Sequence, residues 1–369
     1  MKVLLAGGGT AGHINPALAI AAKLLSEKPD TEIAFVGTPA GLENRLVRAA
    51  GFPLYHVKVM GLQRRLTAKN FKALYYAVKS PFDARRILRE FKPDLVIGTG
   101  GYVSWPVLSA AAKAKIPTAI HEANALPGLT PKMLSKKVDL VFLSFAESEK
   151  YLDCPVDKLV LTGNPLRSEL YRVVRETERE RLGLSKNDRY VLAFGGSLGA
   201  RKLNETLFRF EQGLKREDRI RVCHALGKTS FAAAKEAGTL EKLGIAEKDF
   251  VQVLEYIDDM PARMAAADLV ICRAGALTLS ELAFLKKPAI LVPSPYVADN
   301  HQYKNAAVFR DGKAAELVTE EELAGDRLIE VAHELLADPD RLKFMSRSME
   351  KFAVSDATER IYHSLMALV

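Results

Sequence analysis

One plan of chain organisation occurs twice. Near the start, the apolar run Val3-Leu4-Leu5-Ala6 enters a glycine-rich turn and then an amphipathic helical pattern from Pro16 to Leu25. Past the middle, Val191-Leu192-Ala193-Phe194 enters Gly195-Gly196-Ser197-Leu198-Gly199-Ala200 and another amphipathic stretch. The glycine pairs Gly8-Gly9 and Gly195-Gly196 lie 187 residues apart. A second pair of segments follows, Asp94 to Gly101 and Asp268 to Gly275, at an offset of 174 residues; each leads through a helical stretch to a further apolar run. Short apolar runs alternating with helical segments indicate buried parallel strands joined by right-handed crossovers. The expected fold is therefore α/β, with two Rossmann-like doubly wound domains facing each other across a cleft. Gly163-Asn164-Pro165 is turn chemistry and places the boundary there, giving domains 1–163 and 164–351. The last helical stretch, Arg341 to Leu368, is expected to cross back, so that about 352–369 completes the first domain.

A chain of 369 residues suits two such domains. Cys154, Cys223 and Cys272 are far apart and not in metal-ligand spacing, as expected of a chain in a reducing compartment. The first apolar run is too short for a signal peptide, and no stretch approaches a membrane span; a soluble, intracellular protein is expected. The formal charge is +8, and the segment from Lys58 to Lys92 carries ten basic residues against Asp83 and Glu90, so it accounts for the whole excess. One basic segment in a neutral chain argues against nucleic acid as a partner.

Gly7, Gly9 and Gly12 satisfy the G-x-G-x-x-G spacing, but the second strand, Glu32 to Val36, ends in Gly37-Thr38 without the carboxylate that a dinucleotide ribose needs. The corresponding strand of the second half runs into His224-Ala225, again without one. A P-loop is absent as well. The general property remains: glycine loops that enter helices offer backbone N–H groups to phosphate, unless they serve merely as tight turns. Cys272-Arg273-Ala274-Gly275-Ala276-Leu277-Thr278 adds Ser280 and Glu281 one turn into its helix. Amides at Ala276–Thr278 suit a diphosphate and Glu281 suits a ribose diol, with a plain helix-dipole partner as the competing role for Glu281. Asp299-Asn300-His301-Gln302-Tyr303 begins another helix at the same strand-end rim.

Six ordered motifs resemble those of the MurG family, N-acetylglucosaminyltransferases that convert lipid I to lipid II in bacterial peptidoglycan synthesis. They are Gly8-Gly9-Thr10-Ala11-Gly12-His13, His121-Glu122-Ala123-Asn124, Gly163-Asn164-Pro165-Leu166-Arg167, Gly195 to Ala200, Gly275 to Glu281 and Asn300-His301-Gln302. Ala11 and Ala123 depart from the common family pattern. The resemblance implies the GT-B fold, with an acceptor and membrane-contact domain first and a UDP-sugar donor domain second. It implies that Tyr256 and Ile257 lie at the uracil, that Glu281 holds the ribose, and that Ser197, Ala276, Leu277 and Thr278 line the diphosphate cradle, with Leu279 and Ser280 also in the donor-binding segment. It also implies that Gln302 and Asn124 meet the sugar hydroxyls, that Arg167 is a nearby cation, and that Thr10, Ala11 and Gly12 close on donor and acceptor.

The implied reaction is an inverting transfer from UDP-N-acetylglucosamine to the 4-hydroxyl of the N-acetylmuramyl unit of lipid I, undecaprenyl-pyrophosphoryl-N-acetylmuramyl-pentapeptide. Loss of the attacking proton calls for a base. His13 leads, Glu122 is second and His121 third, with capping of its own helix as the competing role for His13. No cofactor and no bound metal is expected: Asp338-Pro339-Asp340, the one Asp-x-Asp, reads as a helix terminator and cap. Arg64, Arg65, Lys69, Phe71, Lys72, Tyr75 and Phe82 interleave cations with apolar side chains near helical spacing. That pattern suits an anionic membrane surface, or a helix that covers its own core. The implied place is the cytoplasmic face of the bacterial plasma membrane, held peripherally, with cell-wall synthesis proteins as neighbours. The alternatives are another lipid-directed transferase of the same fold, for instance one acting on diacylglycerol, and a UDP-sugar epimerase.

Overall fold

The structure is a computed structural model that describes residues 1–60, 68–196 and 199–369. The chain divides into two units, Met1–Arg167 with Val354–Val369, and Ser168–Ala353.

Among the described residues, the first unit is built on β1 (Lys2–Gly7), β2 (Glu32–Gly37), β3 (Leu54–His56), β4 (Leu95–Gly100), β5 (Thr118–Glu122), β6 (Leu140–Leu143) and β7 (Leu159–Leu161). They form one parallel sheet in the order β3-β2-β1-β4-β5-β6-β7. Alternation along β1 feeds two cores. Val3 and Leu5 pack with Ile14, Ala17 and Ile20 on one face, and Leu4 and Ala6 pack with Val107, Leu108 and Ala111 on the other. A sheet covered on both faces explains why these strands read as unbroken apolar runs. The β1–β4 register shifts at Ala6/Gly7, where the first glycine loop departs.

The boundary lies four residues beyond the expected one because Asn164 and Leu166 are buried in the first unit, with Asn164 Nδ2 donating to the Ala123 carbonyl at 3.2 Å. The final helical stretch is not continuous: helices Pro339–Glu350 and Ala357–Met366 are separated near Val354, which packs against Gly163. The second of these helices belongs to the first unit, where Ile361 and Leu365 are fully buried beside Ile14, Ile20 and Leu24.

Among the described residues, the second unit repeats the plan with β8 (Arg189–Phe194), β9 (Ile220–Ala225), β10 (Val251–Leu254), β11 (Leu269–Cys272), β12 (Ala289–Leu291) and β13 (Ala315–Leu317), all parallel, in the order β10-β9-β8-β11-β12-β13. Its own core joins Val191, Ala193, Ile271 and Ile290 to Leu203, Leu207, Phe210 and Leu335. No helix among the described residues is long and apolar enough to cross a membrane.

Candidate active site

In the first unit, α1 (Ala11–Glu27) begins five residues before the expected Pro16, so Gly12 and His13 stand in its first turn and Thr10 at its N-cap position. Gly12 and Pro16 are poor helix formers, which hid this turn; Thr99 Oγ1 supports it by donating to the His13 carbonyl at 2.6 Å. His13 Nδ1 lies 3.1 Å from the Gly8 carbonyl and 3.4 Å from Thr10 Oγ1. A carbonyl accepts only, so Nδ1 carries a proton, and in the neutral ring the lone pair falls on Nε2. The imidazole lies against Gly100 and Gly101; a Cβ at Gly100 would stand 2.6 Å from His13 Cδ2.

His121 and Glu122, at the end of β5, are both buried. Burial pushes the His121 pKa down to about 4, against a hydrogen bond to Gly163 and together with the nearby His13; its Nε2 faces the Gly163 carbonyl at 3.3 Å and Ser144 Oγ at 3.1 Å. Glu122 is pushed up by burial, against the hydrogen bonds it accepts: Asn124 N at 2.8 Å, Asn124 Nδ2 at 3.0 Å and Gly128 N at 2.9 Å. Its carboxylate thus organises the turn that carries Asn124. Arg167 is the last residue of the first unit's main segment and is half-buried.

Sequence reasoning missed Glu43, the first residue of α2 (Glu43–Ala49). Its fully buried carboxylate reaches the end of β2, the place where no carboxylate was found by reading along the strand. Oε1 accepts from Thr38 N and Thr38 Oγ1, both at 2.6 Å, and Oε2 accepts from Gly9 N at 3.0 Å. Burial raises its pKa, but these three hydrogen bonds outweigh it and hold the carboxyl below its ordinary value. A Cβ at Gly8, Gly37 or Gly41 would meet this side chain within 2.7 Å. The glycines at those positions were the available signal.

In the second unit a pocket of about 490 Å³ opens at the carboxyl ends of the strands, lined by Gly195, Gly196, Arg273, Thr278, Gln302 and Glu320 among others. The helix Ala276–Phe284 starts here with Gly275 at its N-cap, and its internal ladder begins with Leu279 N donating to Gly275 O at 3.0 Å. The N–H groups of Ala276, Leu277 and Thr278 precede that ladder. Leu279 is buried in the core, Ser280 and Glu281 are half-buried, and Glu281 is near enough to Cys272 to add to the upward push of burial on that thiol. Gln302 Oε1 accepts from Ser294 N at 2.9 Å, which orients its amide nitrogen as a donor. Arg273 pairs with Glu320 at 2.6 Å. Beyond β10, Tyr256 is exposed and Ile257 buried. Ser197 lies outside the described residues.

The structure thus groups Thr10, Ala11, Gly12, His13, His121, Glu122 and Asn124 on the first unit's strand-end rim, and Ala276 to Glu281 with Gln302 on the second unit's. Arg64 and Arg65 lie outside the described residues; Lys69, Phe71 and Lys72 occupy the first turns of α3 (Ala68–Phe91). On the same helix Tyr75, Val78 and Phe82 are 59%, 64% and 63% exposed, so this face does not cover the unit's core, whereas Ala84, Ile87 and Leu88 do. Asp338 caps the helix Pro339–Glu350, accepting from Asp340 N and Arg341 N.

The glycosyltransferase family 28 N-terminal domain matches residues 3–143, and the glycosyltransferase family 28 C-terminal domain matches 190–361. A UDP-N-acetylglucosamine–N-acetylmuramyl-(pentapeptide) pyrophosphoryl-undecaprenol N-acetylglucosamine transferase of Acetivibrio thermocellus is 46% identical over 98% of this chain and 96% of its own length. A relative of the same description from Ruminiclostridium cellulolyticum is 43% identical over the full length of both. Among solved structures, MurG of Acinetobacter baumannii matches with a TM-score of 0.76 and 30% identity, over all of this chain and 98% of that one. Two parallel-sheet units, each with its glycine loop at the strand ends, are the Rossmann-like domains of the GT-B fold, and the chain belongs to glycosyltransferase family 28 and, within it, to the MurG family of N-acetylglucosamine transferases.

Proposed function

We propose that this chain transfers N-acetylglucosamine from UDP-N-acetylglucosamine to the 4-hydroxyl of the N-acetylmuramyl unit of an undecaprenyl-pyrophosphoryl-pentapeptide acceptor, with inversion. The observation that carries this reading is end-to-end identity above 40% with relatives that bear that one activity in their names. The hydroxyl attacks the anomeric carbon in line as UDP departs, and its proton passes to a base. His13 is that base, through Nε2, because Nδ1 already faces the Gly8 carbonyl. Glu122 is less suited, since its oxygens already serve Asn124 and Gly128.

Charge that develops on the leaving diphosphate meets the N–H groups of Ala276, Leu277 and Thr278 at a helix N-terminus, a fixed dipole that needs no reorganisation. Ser197 also serves the diphosphate; in the first unit the Thr10-Ala11-Gly12 loop meets donor and acceptor diphosphates, and Arg167 supplies a cation. Glu281 accepts from the ribose hydroxyls, Ile257 beside Tyr256 presents backbone to the uracil, and Gln302 and Asn124 donate to sugar hydroxyls. The acceptor is a membrane-held lipid, so the exposed face of α3, with the cations around it, docks the first unit on the anionic cytoplasmic face of the plasma membrane.

Transfer of labelled N-acetylglucosamine to a lipid I analogue, with diacylglycerol and no-acceptor controls, tests the reading. Label in the lipid I analogue alone is the expected result. Label in diacylglycerol overturns the acceptor, and donor consumption without any acceptor overturns the reaction class.

A further inference from the structure

The peptide unit between Gly8 and Gly9 is held at both ends. Its N–H, that of Gly9, donates to Glu43 Oε2 at 3.0 Å, and its carbonyl, that of Gly8, receives His13 Nδ1 at 3.1 Å. Gly9 takes φ +86°, a left-handed conformation that only glycine adopts without cost. We propose that Glu43 is the positioning residue of the general base, its carboxylate acting through the Gly8–Gly9 peptide to fix the tautomer and orientation of His13. This rests on His13 being the base.

The physical case has three parts. Glu43 is ionised, fully buried and held by Thr38 N and Oγ1 at 2.6 Å each, so it does not drift from the loop. Peptide N–H and C=O are conjugated, so an anion on the N–H makes the carbonyl a stronger acceptor by about 10–30%. A stronger acceptor at Gly8 O favours the Nδ1–H tautomer and stabilises the imidazolium that proton abstraction creates. The arrangement does the work of a carboxylate–histidine pair with one peptide interposed, in weakened form. Three glycines, at 8, 37 and 41, leave the volume that the Glu43 side chain fills, which accounts for a cost in backbone entropy that a simple turn does not require.

Three neighbouring side chains do not supply this role. From β5, His121 faces it electrostatically, but with a pKa near 4 it is neutral in the working range. From β4, Thr99 bonds the backbone carbonyl of His13, not its ring. Thr10 Oγ1, at 3.4 Å from Nδ1, is neutral.

The test is a nitrogen-15 NMR titration of histidine-labelled full-length chain, with the His13 signal identified by its loss in His13→Asn, beside the pH profile of kcat. The wild type should show the Nδ1–H tautomer. In Glu43→Gln, which keeps the shape and removes the charge, the imidazolium loses stabilisation. The His13 pKa and the acid limb of kcat should therefore both move to lower pH, with kcat down roughly tenfold and KM for UDP-N-acetylglucosamine unchanged. Glu43→Asp should restore part of the shift. A folded Glu43→Gln chain whose His13 tautomer and pKa match the wild type overturns the proposal. If neither Glu43 variant folds, the Gly9 amide resonance of the wild type decides: it must move as His13 titrates, and a resonance indifferent to that titration sinks the idea. Failure of the underlying reading is separate, because it would appear as near-normal turnover in His13→Ala, whatever the NMR result.

Discussion

His13 and His121 are neighbouring imidazoles in opposite circumstances. His13 is half-buried at a helix start, whereas His121 is enclosed and kept neutral. Replacing His13 by Ala should lower kcat by about 10²–10⁴-fold while leaving donor affinity intact, as measured by steady-state kinetics beside UDP-N-acetylglucosamine binding. His121 has a consequence for stability instead. Its folded pKa of about 4 lies below the unfolded value near 6.5. The unfolded chain therefore binds the proton first, and stability is lost as pH falls through the window from about 6.5 to 4, on the order of 3 kcal/mol when fully developed. Glu43, depressed as a carboxylate, acts in the same direction: its contribution is present above the unfolded pKa and is lost as pH falls through the folded one. Acid should thus weaken the first unit, and His121→Gln should flatten that loss in thermal melts between pH 7 and 4. Equal acid sensitivity in that variant would assign the effect elsewhere. His13 and His121 were legible in the sequence because each sits in a contiguous motif. Glu43 was not, because its partner Gly9 is 34 residues away and the connection is made through glycines that carry no side chain to signal it.

Elements were more legible than their ends. The glycine loops and the strands that feed them could be read from apolar runs, since strands buried on both faces have no other composition available. The start of α1 was obscured by Gly12 and Pro16, and the break near Val354 by flanking segments that are both good helix formers. Two elements carry predictions. At the helix Ala276–Phe284, Glu281→Gln should weaken UDP binding by roughly 10–100-fold, the scale of hydrogen bonds to a charged acceptor, as read by calorimetric titration. A smaller effect would leave Glu281 as a helix-dipole partner. On α3, Tyr75, Val78 and Phe82 form an exposed stripe at helical spacing, with Arg85 over the Phe82 ring at 5.6 Å. Reversing the charge of Arg64, Arg65, Lys69 and Lys72 should abolish flotation with anionic vesicles, at about 1 kcal/mol for each cation lost. Replacing Tyr75 and Phe82 by Ser should weaken binding even at low salt. Binding indifferent to both sets would move the membrane contact off this helix.

At the scale of the whole molecule, the chain leaves its first unit at Arg167 and returns to it at Val354, so the first unit cannot be completed until the second has been made. The returning helix Ala357–Met366 contributes Ile361 and Leu365 to the core around α1, and Lys23 on α1 pairs with Glu359 on that helix. Truncating either buried side chain to Ala should cost about 2–5 kcal/mol. The two units have separate hydrophobic cores, so the cost should fall on one of them. Thermal unfolding is then not a single two-state event, and scanning calorimetry should resolve two transitions. UDP at 100 times its Kd should raise the transition of the unit Ser168–Ala353 by about 2.7 kcal/mol of linkage, because the pocket at the ends of β8, β11 and β12 lies wholly within that unit. Leu365→Ala should lower the other transition and leave the UDP-shifted one in place. Were both transitions to move together in the variant, the returning helix would be stabilising the molecule as one cooperative body, and the donor pocket would depend on a helix that does not touch its own core.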